Sequence, residues 1–208
     1  MNEVLLYYAG FSAGIVYLVG DIVGGIITPN YSYIKNAVSE LIQSGAENRL
    51  LLSSFLFIHA VMIILFSIGI MTQHSFIQSR LIFLGGILLL AVGISHALSS
   101  SIFPMDPIAE ERTFPGTMHL ILVGFTVVSI FILMPLLGIG FYQYYGWKSF
   151  TFFTFLCFVI IIISGVSSPI VIKKGTELMG LTERITGYTF YLWLSVMAYL
   201  LIHEYSLY

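Results

Sequence analysis

The stretch Leu50–Met71, LLLSSFLFIHAVMIILFSIGIM, runs for 22 residues without an Asp, Glu, Lys or Arg. An α-helix of about 20 apolar residues crosses the roughly 30 Å hydrocarbon core of a bilayer. Working outward from this stretch, five more segments have the same character: Val4–Ile27, Leu81–Ile102, Thr117–Ile139, Phe150–Val171 and Ile185–Ile202. Charged residues make up 9% of the chain and hydrophobic ones 58%. A soluble domain carries about 25% charged residues, so this chain could not cover a water-facing surface. The sequence therefore predicts an all-α integral membrane protein, one bundle of six transmembrane helices over residues 1–208.

The segment between the first two spans, Tyr31–Arg49, predicts a short amphipathic interfacial helix. Ile34, Ala37, Val38, Leu41 and Ile42 recur at helical spacing, with Lys35, Asn36, Ser39, Glu40 and Gln43 between them. Ser32 is placed to cap it and Gly45 to end it. Residues 102–116 are punctuated by Pro104, Pro107 and Pro115, and Gly138–Trp147 reads as a Gly- and Tyr-rich turn with interfacial anchors. Glu3 stands where a signal peptide would be basic, so the first span is expected to be retained. The single cysteine, Cys157, excludes an intrachain disulfide, and no basic patch supports nucleic-acid binding.

With six spans the odd-numbered loops share one side. Lys35, Arg49, Arg112, Lys173, Lys174 and Arg184 fall there, against Arg80 and Lys148 opposite. Positive residues concentrate in cytoplasmic loops, so the odd loops are expected in the cytoplasm of a plasma membrane and both termini outside.

Most of the remaining polar chemistry collects on that same side. Gly10, Gly14, Tyr17, Asp21 and Gly24 form one stripe on the first span. Small residues at this spacing let helices approach closely, so the stripe is expected at a helix contact. A carboxylate in hydrocarbon needs a partner, and Tyr17 or a nearby serine is the expected one for Asp21. His59, His96 and His119 lie toward the odd-loop ends, whereas His74 and His203 lie at the other face. His96, Asp106 and His119 carry the donor set of a zinc site with an open position for water, although no His-Glu-x-x-His or paired-His helix motif is present. Asp106-Pro107 followed by Ile-Ala-Glu-Glu is equally a helix start, with Asp106 as cap and Glu110 and Glu111 in the first turn. Glu183 and Arg184 open the last span, where Arg184, Tyr188, Tyr191 and Ser195 share a face; an arginine there also serves as a headgroup anchor. Ser39-Glu40 would suit a nucleophile or water-orienting pair, but a wet helix face explains it as simply, and no Gly-x-Ser-x-Gly elbow is present.

Ser39-Glu40-Leu41 with Asn48-Arg49, Phe103-Pro104-Met105-Asp106 followed by His119, and Gly180-Leu181-Thr182-Glu183-Arg184 leading to Trp193 occur in one order. Together they resemble the bacterial and archaeal membrane-protein family known as domain of unknown function 998, across nearly the whole chain. The resemblance implies six membrane helices and supplies no reaction. More loosely, the Ser, Asp and His set is similar to the membrane hydrolases that include alkaline ceramidases and adiponectin receptors. This chain has one span fewer and lacks the paired histidines of their final helix.

Two functions are compatible with these residues. In one, a polar cavity between spans one, three, four and six, lidded by the loop helix, binds a lipid-like or small amphiphilic ligand for a binder, sensor or small transporter. Its candidate contacts are Asp21, Ser39, Glu40, Asn48, Arg49, His59, His96, Asp106, His119, Glu183 and Arg184. In the other, zinc on His96, Asp106 and His119 hydrolyses a lipid. Without a complete catalytic constellation, the ligand-binding reading is preferred.

Overall fold

Six long helices follow one another along the chain in a computed structural model that describes residues 3–73, 78–107, 111–173 and 178–205. They are α1 (Glu3–Ile27), α2 (Arg49–Thr72), α3 (Arg80–Ser101), α4 (Phe114–Tyr145), α5 (Lys148–Lys173) and α6 (Met179–Tyr205). Each is long and apolar enough to cross a membrane, and the described residues include no strand. His74, Glu110 and Lys174 lie outside the described residues.

The helices pack in sequence order, α1 on α2 through to α5 on α6, and α6 returns to α1, closing a ring. Its core holds Phe66, Ile70, Leu89, Leu137, Trp193 and Met197, none more than 1% exposed. Outward faces remain apolar, as lipid contact allows: Ile26, Phe152 and Ile163 are all more than 60% exposed.

Glycines set the closest approaches. On the α1 stripe, a β-carbon at Gly10 would lie 2.4 Å from the Phe66 ring and one at Gly24 2.6 Å from Leu41. The stripe therefore lies at helix contacts, as its spacing predicts.

Two local expectations are corrected. Gly138 and Gly140 do not form a turn; α4 runs on to Tyr145 and ends only at Gly146, whose φ of 70° is the left-handed conformation favoured past a helix end. Both glycines serve packing. A β-carbon at Gly138 would meet Thr154 at 2.9 Å, and one at Gly140 would meet Ile82 at 2.8 Å. In the first loop the short helix expected within Tyr31–Arg49 is a 3-10 helix confined to Val38–Ile42. Val38, Leu41 and Ile42 are buried against the bundle instead of resting on a membrane surface. Local hydrogen bonds favour that compact turn: Ala37 N–H donates to Glu40 Oε1 at 2.7 Å, Asn36 Nδ2 to Glu40 Oε2 at 2.8 Å, and Ser32 N–H to Asn36 Oδ1 at 2.9 Å. Such side-chain-to-backbone bonds compete with a continuous helix.

Candidate functional site

The deepest charged group on α1 is Asp21, 1% exposed. Its partner is Arg184, on the helix that closes the ring against α1, and not Tyr17 or a serine as the sequence suggests. Arg184 Nε donates to Oδ2 at 2.9 Å and Nη2 to Oδ1 at 2.7 Å, a fork-to-fork pair. Tyr188, one turn along α6, also donates its hydroxyl to the Asp21 carboxylate. The other Arg184 hydrogens are engaged as well. Nη1 donates to the carbonyls of Tyr33 at 2.7 Å, Asn36 at 2.9 Å and Gly180 at 3.2 Å, and Nη2 donates to the Tyr31 hydroxyl at 2.6 Å. Its guanidinium also lies over the Tyr33 ring, 4.9 Å from the centroid.

Arg184 thus ties the first loop to α1 and α6, and is left no donor for a ligand. Tyr31 passes the tie onward by donating to the Ala37 carbonyl at 2.8 Å. Burial pushes the Tyr31 hydroxyl well above its ordinary range, against the lowering influence of Arg184, so it stays protonated at neutral pH. Beside this knot, Glu183 Oε2 accepts the Val38 N–H at 3.0 Å, and Leu181 N–H donates to the Ile34 carbonyl at 3.0 Å. A β-carbon at Gly180 would lie 2.2 Å from the Asn36 carbonyl, so only glycine lets the loop approach so closely. Below the 3-10 turn there is a cavity of about 10 Å³, lined by Asp21, Leu41 and Leu52 among others. That is about the space of one water. Beneath the turn, between α1 and α2, side chains are thus closely packed.

Asp106 is occupied differently from either expectation. Pro107 and Glu111 lie outside any helix. The carboxylate instead accepts the Thr113 N–H and Thr113 hydroxyl, each at 2.7 Å, and so braces the N-cap residue of α4. These bonds hold the Asp106 carboxyl below its ordinary value. His119 Nδ1 donates to the Phe103 carbonyl at 2.9 Å. Among the described residues no three His, Cys, Asp or Glu side chains are placed to hold one metal ion. His96, Asp106 and His119 are therefore not brought together as a zinc site.

Of the other candidates, Glu40 closes the 3-10 turn and Asn48 Nδ2 donates to the Ile27 carbonyl at 3.4 Å. Ser39 is half-buried within that turn. His59 and His96 face one another inside the bundle, with ring centroids 5.7 Å apart.

Arg49 stands apart. It is half-buried at the start of α2, and among the described residues no hydrogen bond or ion pair engages its guanidinium. It borders an open groove of about 810 Å³. Glu47, Ser53, Ser54 and Ser101 line its polar part, and Leu50, Phe57 and Ile58 its apolar part. The serines escaped the sequence reading. Positions 50, 53, 54, 57 and 58 share one helix face, and that spacing beside Arg49 is the signal that would have found them.

No curated protein and no solved structure matches the chain. The model of one family, described as protein of unknown function (DUF998), matches residues 11–200, and the chain belongs to that family.

Proposed function

We propose that this protein is a non-catalytic binder of an anionic, lipid-like amphiphile, held in the groove along α2. The observation that carries the proposal is the unengaged Arg49 beside an open groove along α2 where serines alternate with exposed apolar side chains. An arginine offers five donors in a fork that matches phosphate. Ser53 and Ser54 donate their hydroxyls to the Leu50 carbonyl, at 3.2 and 2.7 Å, and keep oxygen lone pairs for a headgroup donor. Leu50, Phe57 and Ile58, each more than 40% exposed, offer an acyl chain a continuous face.

The distribution of Lys and Arg supports odd loops on the cytoplasmic side of a plasma membrane, with both termini outside. Arg49 then sits at the leaflet where anionic headgroups attract basic residues by about 1 kcal/mol each. Among the described residues no three His, Cys, Asp or Glu side chains are placed to hold one metal ion, which favours binding over the lipid-hydrolase reading.

Native mass spectrometry of the detergent-solubilised protein, titrated with phosphatidylglycerol or with phosphatidylcholine, tests the proposal. Phosphatidylglycerol is expected to bind more tightly, and Arg49→Gln to weaken it about fivefold, the equivalent of about 1 kcal/mol. Free glycerol phosphate should not compete at equal concentration. Equal binding of the two lipids, unchanged in Arg49→Gln, would refute it.

A further inference from the structure

His59 lies 1% exposed on the inner face of α2. Its Nδ1 is 2.9 Å from the Ala13 carbonyl oxygen. A carbonyl only accepts, so Nδ1 carries the proton and Nε2 keeps a lone pair. That Nε2 is fully buried and has no partner. An unsatisfied buried acceptor is costly, and a water or an ion is what ordinarily satisfies one. An imidazole with one nitrogen fixed by a carbonyl and the other free has the arrangement of a metal ligand.

The ring of His96 on α3 is the neighbouring donor. It lies 5.7 Å from His59, centroid to centroid, tilted by 30°. Among the described residues it has no hydrogen-bond partner of its own, and no bond joins the two rings. Tyr17 and Tyr191 close the other sides of His59, with centroids at 5.3 and 4.6 Å. No carboxylate or thiol joins the pair to make a third ligand among the described residues.

We propose that His59 and His96 form a two-imidazole site for one monovalent d10 cation, of which Cu(I) is the biological representative. Ligand number and type select it. Calcium and magnesium require six or more oxygens. Zinc sites use at least three protein ligands. Imidazole suits copper, and a monovalent d10 cation needs as few as two donors. A single positive charge is also less costly than two among neutral aromatic walls with no carboxylate in contact. His96 is half-buried and sits five residues from the Ser101 end of α3, about 7.5 Å along the axis, which places it toward the odd-loop end of the helix. The site is separate from the α2 groove and does not depend on ligand binding there.

The experiment is anaerobic titration of the detergent-solubilised protein with Cu(I) buffered by bicinchoninate, reading stoichiometry by elemental analysis after desalting. One Cu(I) per chain is expected, with affinity at least tenfold lower in both His59→Asn and His96→Asn and unchanged in His119→Asn. Cu(I) should also raise the unfolding temperature of the unsubstituted protein and not that of His96→Asn, a reading that survives if His59→Asn fails to fold. Folded protein that retains no Cu(I), binding that both substitutions leave intact, or equal uptake of zinc in competition would each overturn the proposal.

Discussion

Removing the charge of Arg184 while Asp21 remains would strand a carboxylate that is 1% exposed. Breaking a buried pair from one side costs about 3–5 kcal/mol, whereas replacing both members together costs much less. Arg184→Gln is therefore expected to destabilise the protein in that range. The Asp21→Asn, Arg184→Gln double variant should lose less than the sum of the singles, as read by thermal unfolding in detergent. Asp106 gives a pH test. Its folded value is depressed by the bonds from Thr113, so the stabilisation is present above the unfolded value of about 3.9 and is lost as pH falls through the lower, folded value. Acidification from about pH 5 to below 3 should lower the unfolding temperature of the unsubstituted protein more than that of Asp106→Asn; parallel curves would contradict the brace.

Within α4, two glycines with the same residue type predict opposite outcomes. Gly124 has nothing within 4 Å of a built β-carbon, so Gly124→Ala should stabilise by about 0.4–1 kcal/mol through the lower entropy of the unfolded chain. Gly140 would place its β-carbon 2.8 Å from the Ile82 side chain and 3.2 Å from the Ile82 backbone nitrogen. Gly140→Ala should therefore destabilise by about 1–3 kcal/mol, as overpacking does. Unfolding temperatures of the two variants side by side test this. The same contrast shows why the Gly138–Trp147 stretch was misread. A glycine that admits a neighbouring helix and one that ends a helix look alike until the neighbour is in place. The Tyr31–Arg49 helix was misread for a related reason: Val38, Leu41 and Ile42 do share a face, but the bonds of Glu40 and Asn36 keep them in a 3-10 turn.

At the scale of the whole molecule, the six spans were legible because hydrocarbon demands long apolar runs whatever their neighbours do. The α1 stripe and the odd-loop location of the candidate residues were legible too. Partnerships were not. Asp21 and Arg184 are 163 positions apart, and their pairing follows from ring closure between α1 and α6, which no local period encodes. The fold engages Asp21, Glu40, Asp106, Glu183 and Arg184 in hydrogen bonds of its own, and among the described residues it leaves the Arg49 guanidinium without one. The central claim is that Arg49 anchors an amphiphile whose chain lies on α2. Photo-crosslinking with a phosphatidylglycerol carrying a diazirine in its acyl chain, followed by peptide mapping, tests it most directly. Adducts on Leu50, Phe57 or Ile58 that fall several-fold in Arg49→Gln are the predicted result. Adducts scattered over the outer faces of all six helices, indifferent to Arg49, would contradict it.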